Sequence, residues 1–438
     1  MRHNVRVQNF RGGGSMKKKT WWFPALLILT AFQLISMVQV LFDQPAENAV
    51  LVLDGRGLDT ESAIFFGIYI LVEWVYFIAM AIVRKRSDPA VELAAFFLTG
   101  IGLVTVAGAN KAQLKTQFIA VMLGIACFVA MLWLISNVDR AMLMRTPMAA
   151  AAVGLLAVTL ILARNIQGAF NWLEIGGMSI QPSEFVKVAF VFVGAATLDK
   201  LQTTRSLTKY IIFCVVCVAL LFLMRDLGTA LIFFFTFLVL AFMRSGDFRT
   251  LILVCVAAAM AAGLVVLIRS DFVMERFATY RHVWDDMYGK GYQQSRVLIY
   301  SVSGGLLGVG IGKGNLKTVS AATEDLVFGM LCEEWGIIIG ILAVVCILLI
   351  AFHSIRCASG ARSAFYAISG IAAGSLLLFQ TALNVFGVTD LLPLTGVTMP
   401  FVSRGGSSVI CCWALLAFIK AADNRTWIGS RYFSDSQG

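Results

Sequence analysis

The sequence predicts an all-α polytopic membrane protein with about 12 transmembrane helices and one large extracytoplasmic loop. Three observations lead there. Of the 438 residues, 59% are hydrophobic and 14% are charged. With a mean hydropathy of +0.84, this is a balance that soluble domains rarely show. Apolar runs long enough to cross ~30 Å of hydrocarbon follow one another along the chain. Lys and Arg concentrate in alternate connections, as they do on the cytoplasmic side of membrane proteins.

The same composition excludes several classes of function. The net charge of +10 is distributed between the apolar runs and forms no single basic patch, so no nucleic-acid partner is expected. Nine Cys fall nearly all inside apolar runs, which argues against a disulfide framework. Cys214 and Cys217 have redox spacing but lie in a hydrophobic helix and read as packing. His3, His282 and His353 are too few and too scattered to suggest a metal site.

Residues 1–15 end in Gly12-Gly13-Gly14-Ser15 and read as a flexible arm or linker ahead of Met16. The basic run Lys17-Lys18-Lys19 precedes an apolar segment too long for a cleaved signal peptide. Spans are expected near 21–42, 63–83, 91–109, 116–137, 147–163, 183–199, 210–224, 227–243, 250–268, 325–352, 364–387 and 405–421. With the N-terminus inside, inner segments carry 21 of the 35 Lys and Arg, and every short inner connection is basic. Both termini are then cytoplasmic, and the long loop 269–324 lies outside.

Several polar groups sit where lipid forbids them unless they face a protein interior. Glu73 lies within the second run. Glu184 and Lys187 open the sixth, three residues apart on one helix face, where they can pair. The pair is read equally well as a structural ion pair. Arg225-Asp226-Leu227-Gly228-Thr229 interrupts an apolar run and reads either as an outer hairpin or as part of a lined cavity. From the sixth run onward the polar groups lie toward the outer half, which favours a cavity open to the outside.

The outer loop carries Arg276, Arg281, Trp284, Asp285, Asp286, Tyr288, Gly291-Tyr292-Gln293 and Arg296. Loops this long are commonly functional. Arg forks match phosphate oxygens, and flat rings cover sugar faces. The competing reading is a basic, aromatic loop resting on anionic headgroups. The loop closes through Ser303-Gly304-Gly305 to Gly312 and Thr323-Glu324-Asp325, with Glu333 and Glu334 inside the next run. A carboxylate where a chain re-enters the membrane suits a proton acceptor; Asp325 also suits a helix cap. Finally, Pro393 to Ser408, with two Pro and three Gly, cannot be regular lipid-facing helix. It is expected to line a polar space, with its Gly405-Gly406-Ser407-Ser408 turn offering N–H groups to an anion.

Five stretches in order resemble one family. They are Asn171-Trp172-Leu173 with Gln181-Pro182-Ser183-Glu184-Phe185-Val186-Lys187, Asp226-Leu227-Gly228-Thr229-Ala230, Gly291-Tyr292-Gln293 with Ser303 to Gly312, Thr323 to Phe328 with Glu333-Glu334, and Pro400 to Ser408. Together they resemble the SEDS family (shape, elongation, division and sporulation), which includes FtsW, RodA and SpoVE. The resemblance covers roughly 91–425. It implies a ten-span core preceded by two additional spans within 16–90 and followed by a tail at 426–438.

The resemblance further implies a peptidoglycan glycosyltransferase of the bacterial cytoplasmic membrane. Such an enzyme polymerises lipid II on the outer face, beside a class B penicillin-binding protein. The family's essential acid falls on Asp325, and its conserved Glu and Lys fall on Glu184 and Lys187. The chain departs from the pattern at Phe170-Asn171, at Arg225, at Arg404 and over Val319 to Glu324.

The chemistry needs a base near the attacking sugar hydroxyl and cations near the departing diphosphate. Asp325 is the expected base, with inversion at the sugar. Lys187, Arg225 and Arg404 are the expected diphosphate ligands, and Arg276 and Arg281 would guide or cover the substrate. Glu184, Asp226, Ser403, Ser407 and Ser408 complete the substrate-binding set, and Glu333 and Glu334 support it. A divalent cation is compatible with this chemistry, but no ligand spacing identifies one. The alternatives are a lipid-linked precursor flippase and a noncatalytic scaffold for wall enzymes; inverted repeats, which mark many transporters, are not evident. The charge pattern makes a first prediction: a topology reporter fused after Arg425 reads out in the cytoplasm, and an exterior signal there would overturn the twelve-span arrangement.

Overall fold

The computed structural model describes residues 21–45, 52–53, 56–83, 88–166, 169–175, 178–199, 204–249, 252, 255–256 and 279–427. The arm 1–15, most of the run 250–268, the loop stretch 269–278 and residues 428–438 of the tail lie outside the described residues.

The fold is a helical bundle. It comprises α1 (Trp22–Leu41), α2 (Thr60–Val83), α3 (Ala90–Ala109), α4 (Lys111–Leu134), α5 (Val138–Leu162), α6 (Pro182–Asp199), α7 (Thr204–Leu223), α8 (Leu227–Ser245), α9 (Tyr292–Ser303), α10 (Ile337–Ala358), α11 (Ala364–Val388) and α12 (Gly406–Ala422). Seven of these, α1 to α5, α10 and α11, are long and apolar enough to cross a membrane, and parts of α7, α8 and α12 form shorter apolar stretches. The ninth expected span, 250–268, falls mostly outside the described residues.

α12 is the axis of the bundle. Fifteen of its 17 residues are buried, the signature of a helix apolar all round. It packs against α4, α11, α6 and α10. Glycines let the helices approach closely: a Cβ at Gly124 of α4 would stand 2.9 Å from the Trp413 ring, and one at Gly370 of α11 would meet the Ala422 methyl at 2.7 Å. Trp413 also meets Phe96 at 4.9 Å, Phe401 at 5.8 Å and Phe128 at 5.9 Å between centroids.

Ionisable groups within the bundle find charged or amide partners, as a low-dielectric interior favours. Lys420 and Glu92 lie 2.6 Å apart with both side chains fully buried, and the Tyr76 hydroxyl donates to Glu92 at 2.9 Å. Gln33 of α1 donates to Glu73 of α2 at 2.8 Å. These contacts bind the N-terminal pair to its neighbours.

Two expected runs have other bounds in the structure, and two connections hold short strands. The run at 147–163 is only part of α5, which begins at Val138 because the Asn137 side chain accepts from the N–H groups of Asp139 at 2.8 Å and Arg140 at 3.3 Å. Two three-stranded antiparallel sheets occupy the connections α1–α2 (β1 Phe42–Pro45, β2 Val52–Leu53, β3 Arg56–Leu58) and α5–α6 (β4 Arg164–Ile166, β5 Ala169–Ile175, β6 Met178–Ile180). A reading based on spans overlooks the Gly176-Gly177 pair, which is a hairpin signal. The run at 325–352 does not begin a helix at its first residue. A helical turn Val327–Met330 and a π-helical turn Leu331–Trp335 come first, Gly336 breaks the helix at φ +85°, and the span starts at Ile337. Glu333 and Glu334 therefore lie ahead of the span.

Those two carboxylates hold the glycine-rich segment. Glu333 accepts from the N–H groups of Asn315 at 2.7 Å and Leu316 at 2.9 Å, and Glu334 accepts from Gly312 at 3.0 Å. Their carbonyls accept from Val309 and Gly310. The two strips of backbone touch: a Cβ at Gly308, where φ is +83°, would stand 2.2 Å from the Glu334 carbonyl oxygen, whereas Gly305, at φ +57°, faces open space. Gly305→Ala should therefore cost only left-handed strain, ~1–2 kcal/mol, and Gly308→Ala should lower the melting temperature of the purified protein much further. Equal melting temperatures for the two variants would show that the strips are not in contact.

Candidate active site

A cleft of about 790 Å³, its open mouth included, lies where the α5–α6 hairpin, the α7–α8 turn, the end of the outer loop and the segment before α12 meet. Its lining includes Asn171, Trp172, Gln181, Arg225, Asp226, Glu324, Asp325, Thr398, Arg404, Ser407 and Ser408. Four stretches distant in sequence thus converge on one polar space.

Asp226 organises one wall. It caps α8 by accepting from the Thr229 N–H at 3.1 Å. Its other oxygen accepts from Asn171 at 2.9 Å and, more loosely, from Gln181 and Ser183 at 3.4 Å each. With both oxygens engaged, it serves as a structural anchor and offers little to a cation. The turn it closes holds Arg225 in the left-handed region at φ 60°, which non-glycine residues seldom adopt. Arg225 is exposed and lines the cleft.

The opposite wall joins the end of the outer loop to the segment before α12. Arg404 N–H donates to Thr323 O at 2.7 Å, the Ser403 hydroxyl donates to Glu324 O at 2.6 Å, and Arg404 Nη1 pairs with Glu324 Oε1 at 3.0 Å. Asn384 of α11 donates to the carbonyls of both Asp325 and Val397, at 2.8 and 2.7 Å. Asp325 is thereby fixed by its backbone, half-buried, with its carboxylate 3.3 Å from where a Cβ on Gly396 would be. Gly405 N–H already donates to Gln117 at 3.2 Å, so that N–H of the expected anion turn is occupied. A divalent cation in the cleft would meet Asp325 and Glu324, of which Glu324 is already paired with Arg404.

Glu184 and Lys187 pair at 2.8 Å with side chains 5% and 2% exposed, outside the cleft lining. Their influence reaches the cleft by a line of hydrogen bonds. Lys187 donates to Gln380 Oε1 at 2.9 Å, Gln380 Nε2 donates to the Thr398 carbonyl at 2.9 Å and hydroxyl at 3.1 Å, and Thr398 and Ser408 share a hydroxyl bond of 2.8 Å. Ser407 accepts from the Gln181 N–H at 3.3 Å.

Of the expected site residues, Asp325, Arg225, Asp226, Arg404, Ser407 and Ser408 meet in the cleft. Ser403 braces its wall. Arg281 stands apart, exposed, with its N–H on Asp390 and its guanidinium over the Tyr280 ring. Arg276 lies outside the described residues. Glu333 and Glu334 support the glycine segment at a distance; burial pushes the Glu334 carboxyl up to about 7, against the pull of the Gly312 N–H. The sequence reading assigned no role to Gln380, Thr398 or Asn384. The available signal was the placement of Gln380 and Asn384 one turn apart inside an apolar run.

A family described as cell cycle protein, comprising FtsW, RodA and SpoVE, matches residues 90–426. The chain belongs to this family. Over 285 residues it is 30% identical to a probable peptidoglycan glycosyltransferase FtsW of Buchnera aphidicola, covering 63% of this chain and 71% of that one. Over 362 residues it is 28% identical to a probable peptidoglycan glycosyltransferase FtsW of Aeromonas salmonicida, covering 77% and 90%. Over 365 residues it is 28% identical to the peptidoglycan glycosyltransferase RodA of Mycobacterium tuberculosis, covering 76% and 77%. The fold resembles the rod shape determining protein RodA of Thermus thermophilus, with TM-score 0.57 and 24% identity over 76% of this chain and 96% of that one. It also resembles a chain of a peptidoglycan synthase complex, with TM-score 0.65 and 22% identity over 78% and 99%. The family and its apolar helices make this a multi-pass membrane protein.

The buried pair yields a third prediction. Lys187→Met leaves Glu184 charged and unpaired, a loss of ~3–5 kcal/mol for a buried pair, read as a lower melting temperature in detergent. The double variant Glu184→Gln/Lys187→Met should recover much of it. If the double variant melts no higher than Lys187→Met, the ion pair is not what holds this region.

Proposed function

We propose that this chain is a peptidoglycan glycosyltransferase that polymerises lipid II on the outer face of the bacterial cytoplasmic membrane. The observation that carries the reading is the convergence of Asp325, Arg225 and Arg404 on one cleft, in a family whose relatives bear that activity in their names. The basic inner connections favour cytoplasmic termini and an outward-facing cleft. The likeness to a chain of a peptidoglycan synthase complex supports a class B penicillin-binding protein as partner.

The positions support the following reaction. A sugar hydroxyl enters beside Asp325, whose carboxylate takes its proton as the oxygen attacks the anomeric carbon of the donor. A new glycosidic bond forms on the face opposite the leaving group, so configuration inverts. The bond to the diphosphate breaks, and the diphosphate departs on its lipid. Arg225 and Arg404 offer guanidinium forks to the developing charge. Arg404 keeps its pairing with Glu324 until an anionic group competes for it. Lys187 acts on the substrate only through Gln380, Thr398 and Ser408.

Asp325→Asn tests the base. It preserves size but cannot accept the proton, and loss of a general base costs ~10²–10⁴-fold in rate; no capping role is lost, because the turn Val327–Met330 has Leu326 as its N-cap and no side-chain cap bond. The variant should reach the membrane normally, retain its partner and form little or no polymer from labelled lipid II. Glu324→Gln, which frees Arg404 from its partner, should polymerise at a reduced rate. A near wild-type ladder from Asp325→Asn with none from Glu324→Gln would move the base to Glu324. Translocation of labelled substrate across vesicles without any polymer from the unmodified protein would favour a flippase.

A further inference from the structure

The end of the bundle remote from the cleft gathers a different chemistry. His353 and Cys357 lie one turn apart on α10, so they share a face, and His353 Nε2 is 3.3 Å from Cys357 Sγ. Asp423, immediately after α12, brings its carboxylate to the same point. One ligand atom from each of the three lies within 4.8 Å of the others. Asp423 is buried, and His353 and Cys357 are half-buried. Nothing in the cleft uses them.

The surroundings fit a cation. Asp423 stands at the C-terminal end of α12, where the helix dipole disfavours a carboxylate. Asp88 and Glu92 also act on His353. Among the described residues two cations oppose these acids: Lys420 is held by Glu92 at 2.6 Å, and Arg425 bonds Asp423 at 2.9 and 3.0 Å and Asp88 at 3.1 Å. Among these described groups three acids face two bases, and a Cys357 thiolate would add a further negative charge for a divalent ion to meet. The Arg425 bond to Asp423 is compatible with ligation, because metal-bound carboxylates usually carry such outer hydrogen bonds. One imidazole, one thiolate and one carboxylate form a set for a borderline-soft ion, since magnesium and calcium prefer oxygen alone. The 3.3 Å separation of nitrogen and sulfur is close to the ~3.5 Å edge of a tetrahedron built on zinc–nitrogen and zinc–sulfur bonds.

We propose that His353 Nε2, Cys357 Sγ and a carboxylate oxygen of Asp423 form a zinc site that clasps α10 to the end of α12, with water in the fourth position. On binding, the Cys357 thiol releases its proton to solvent and a sulfur–zinc bond forms, without any change of oxidation state. The site lies a full α12 length from Ser407 and Ser408, so it acts as a clasp and takes no part in the chemistry of the cleft.

The test uses full-length protein without a polyhistidine tag, stripped by chelator and titrated with Co²⁺ and then Zn²⁺. The wild type should take up about one Co²⁺ with a thiolate-to-cobalt charge-transfer band, which Zn²⁺ displaces while raising the melting temperature. Cys357→Ser should abolish the band, His353→Ala should weaken binding at least ~10-fold, and Cys346→Ser, also on α10, should leave both unchanged. His353→Ala carries the test if Cys357→Ser does not fold. The absence of a band in the wild type, or a band of equal strength in Cys357→Ser or His353→Ala, would overturn the proposal.

Discussion

The carboxylate of Asp226 is the contact on which the cleft depends. A buried acid among apolar helices is tolerable only when its lone pairs are filled. Here the donors come from three separate elements: the α8 backbone, the hairpin through Asn171 and the start of α6 through Gln181 and Ser183. The demand for satisfaction of one side chain therefore brings three pieces of chain together. Arg225, the residue before it, is turned into the cleft by the same tight turn.

The same constraint operates across the bundle through Lys187. Its ammonium group must be neutralised by Glu184 and further satisfied by Gln380. Gln380 can then offer its amide only to Thr398, whose hydroxyl shares a hydrogen bond with that of Ser408. Each bond fixes the orientation of the next polar group, so the floor of the cleft inherits its geometry from a charge outside it. Polar residues inside the membrane thus act as a scaffold here, with the reactive groups carried on irregular loops above.

What the sequence disclosed follows from these physical facts. Spans were legible because hydrocarbon imposes a length and forbids charge, and Glu184, Lys187 and Asp226 stood out by breaking that rule. Asp325 and Arg404 stood out at the ends of irregular segments. The small sheets were hidden, since β4 to β6 lie in a short connection between stronger helical signals. The late start of α10 was hidden because Leu326 to Cys332 is nearly as apolar as the span itself, and the break at Gly336 rests on a left-handed backbone that shows only in three dimensions. The roles of Gln380 and Asn384 were hidden because side-chain amides reveal their partners only in three dimensions, as did the pairing of Glu324 with Arg404.

The N-terminal pair has a consequence of its own. Phe32 of α1 stacks on Trp335 at 5.9 Å between centroids, and Trp335 donates to Thr105 of α3 at 3.0 Å. Trp335 closes the turn whose two carboxylates hold the glycine segment. α1 therefore stands in mechanical series with the stretch of chain that runs on to Asp325. A lateral force on α1, from a crowded bilayer or from a neighbour leaning on its lipid-facing side, reaches that stretch through the Phe32–Trp335 stack and through α3, which Phe32 also meets at Phe97, 5.3 Å between centroids.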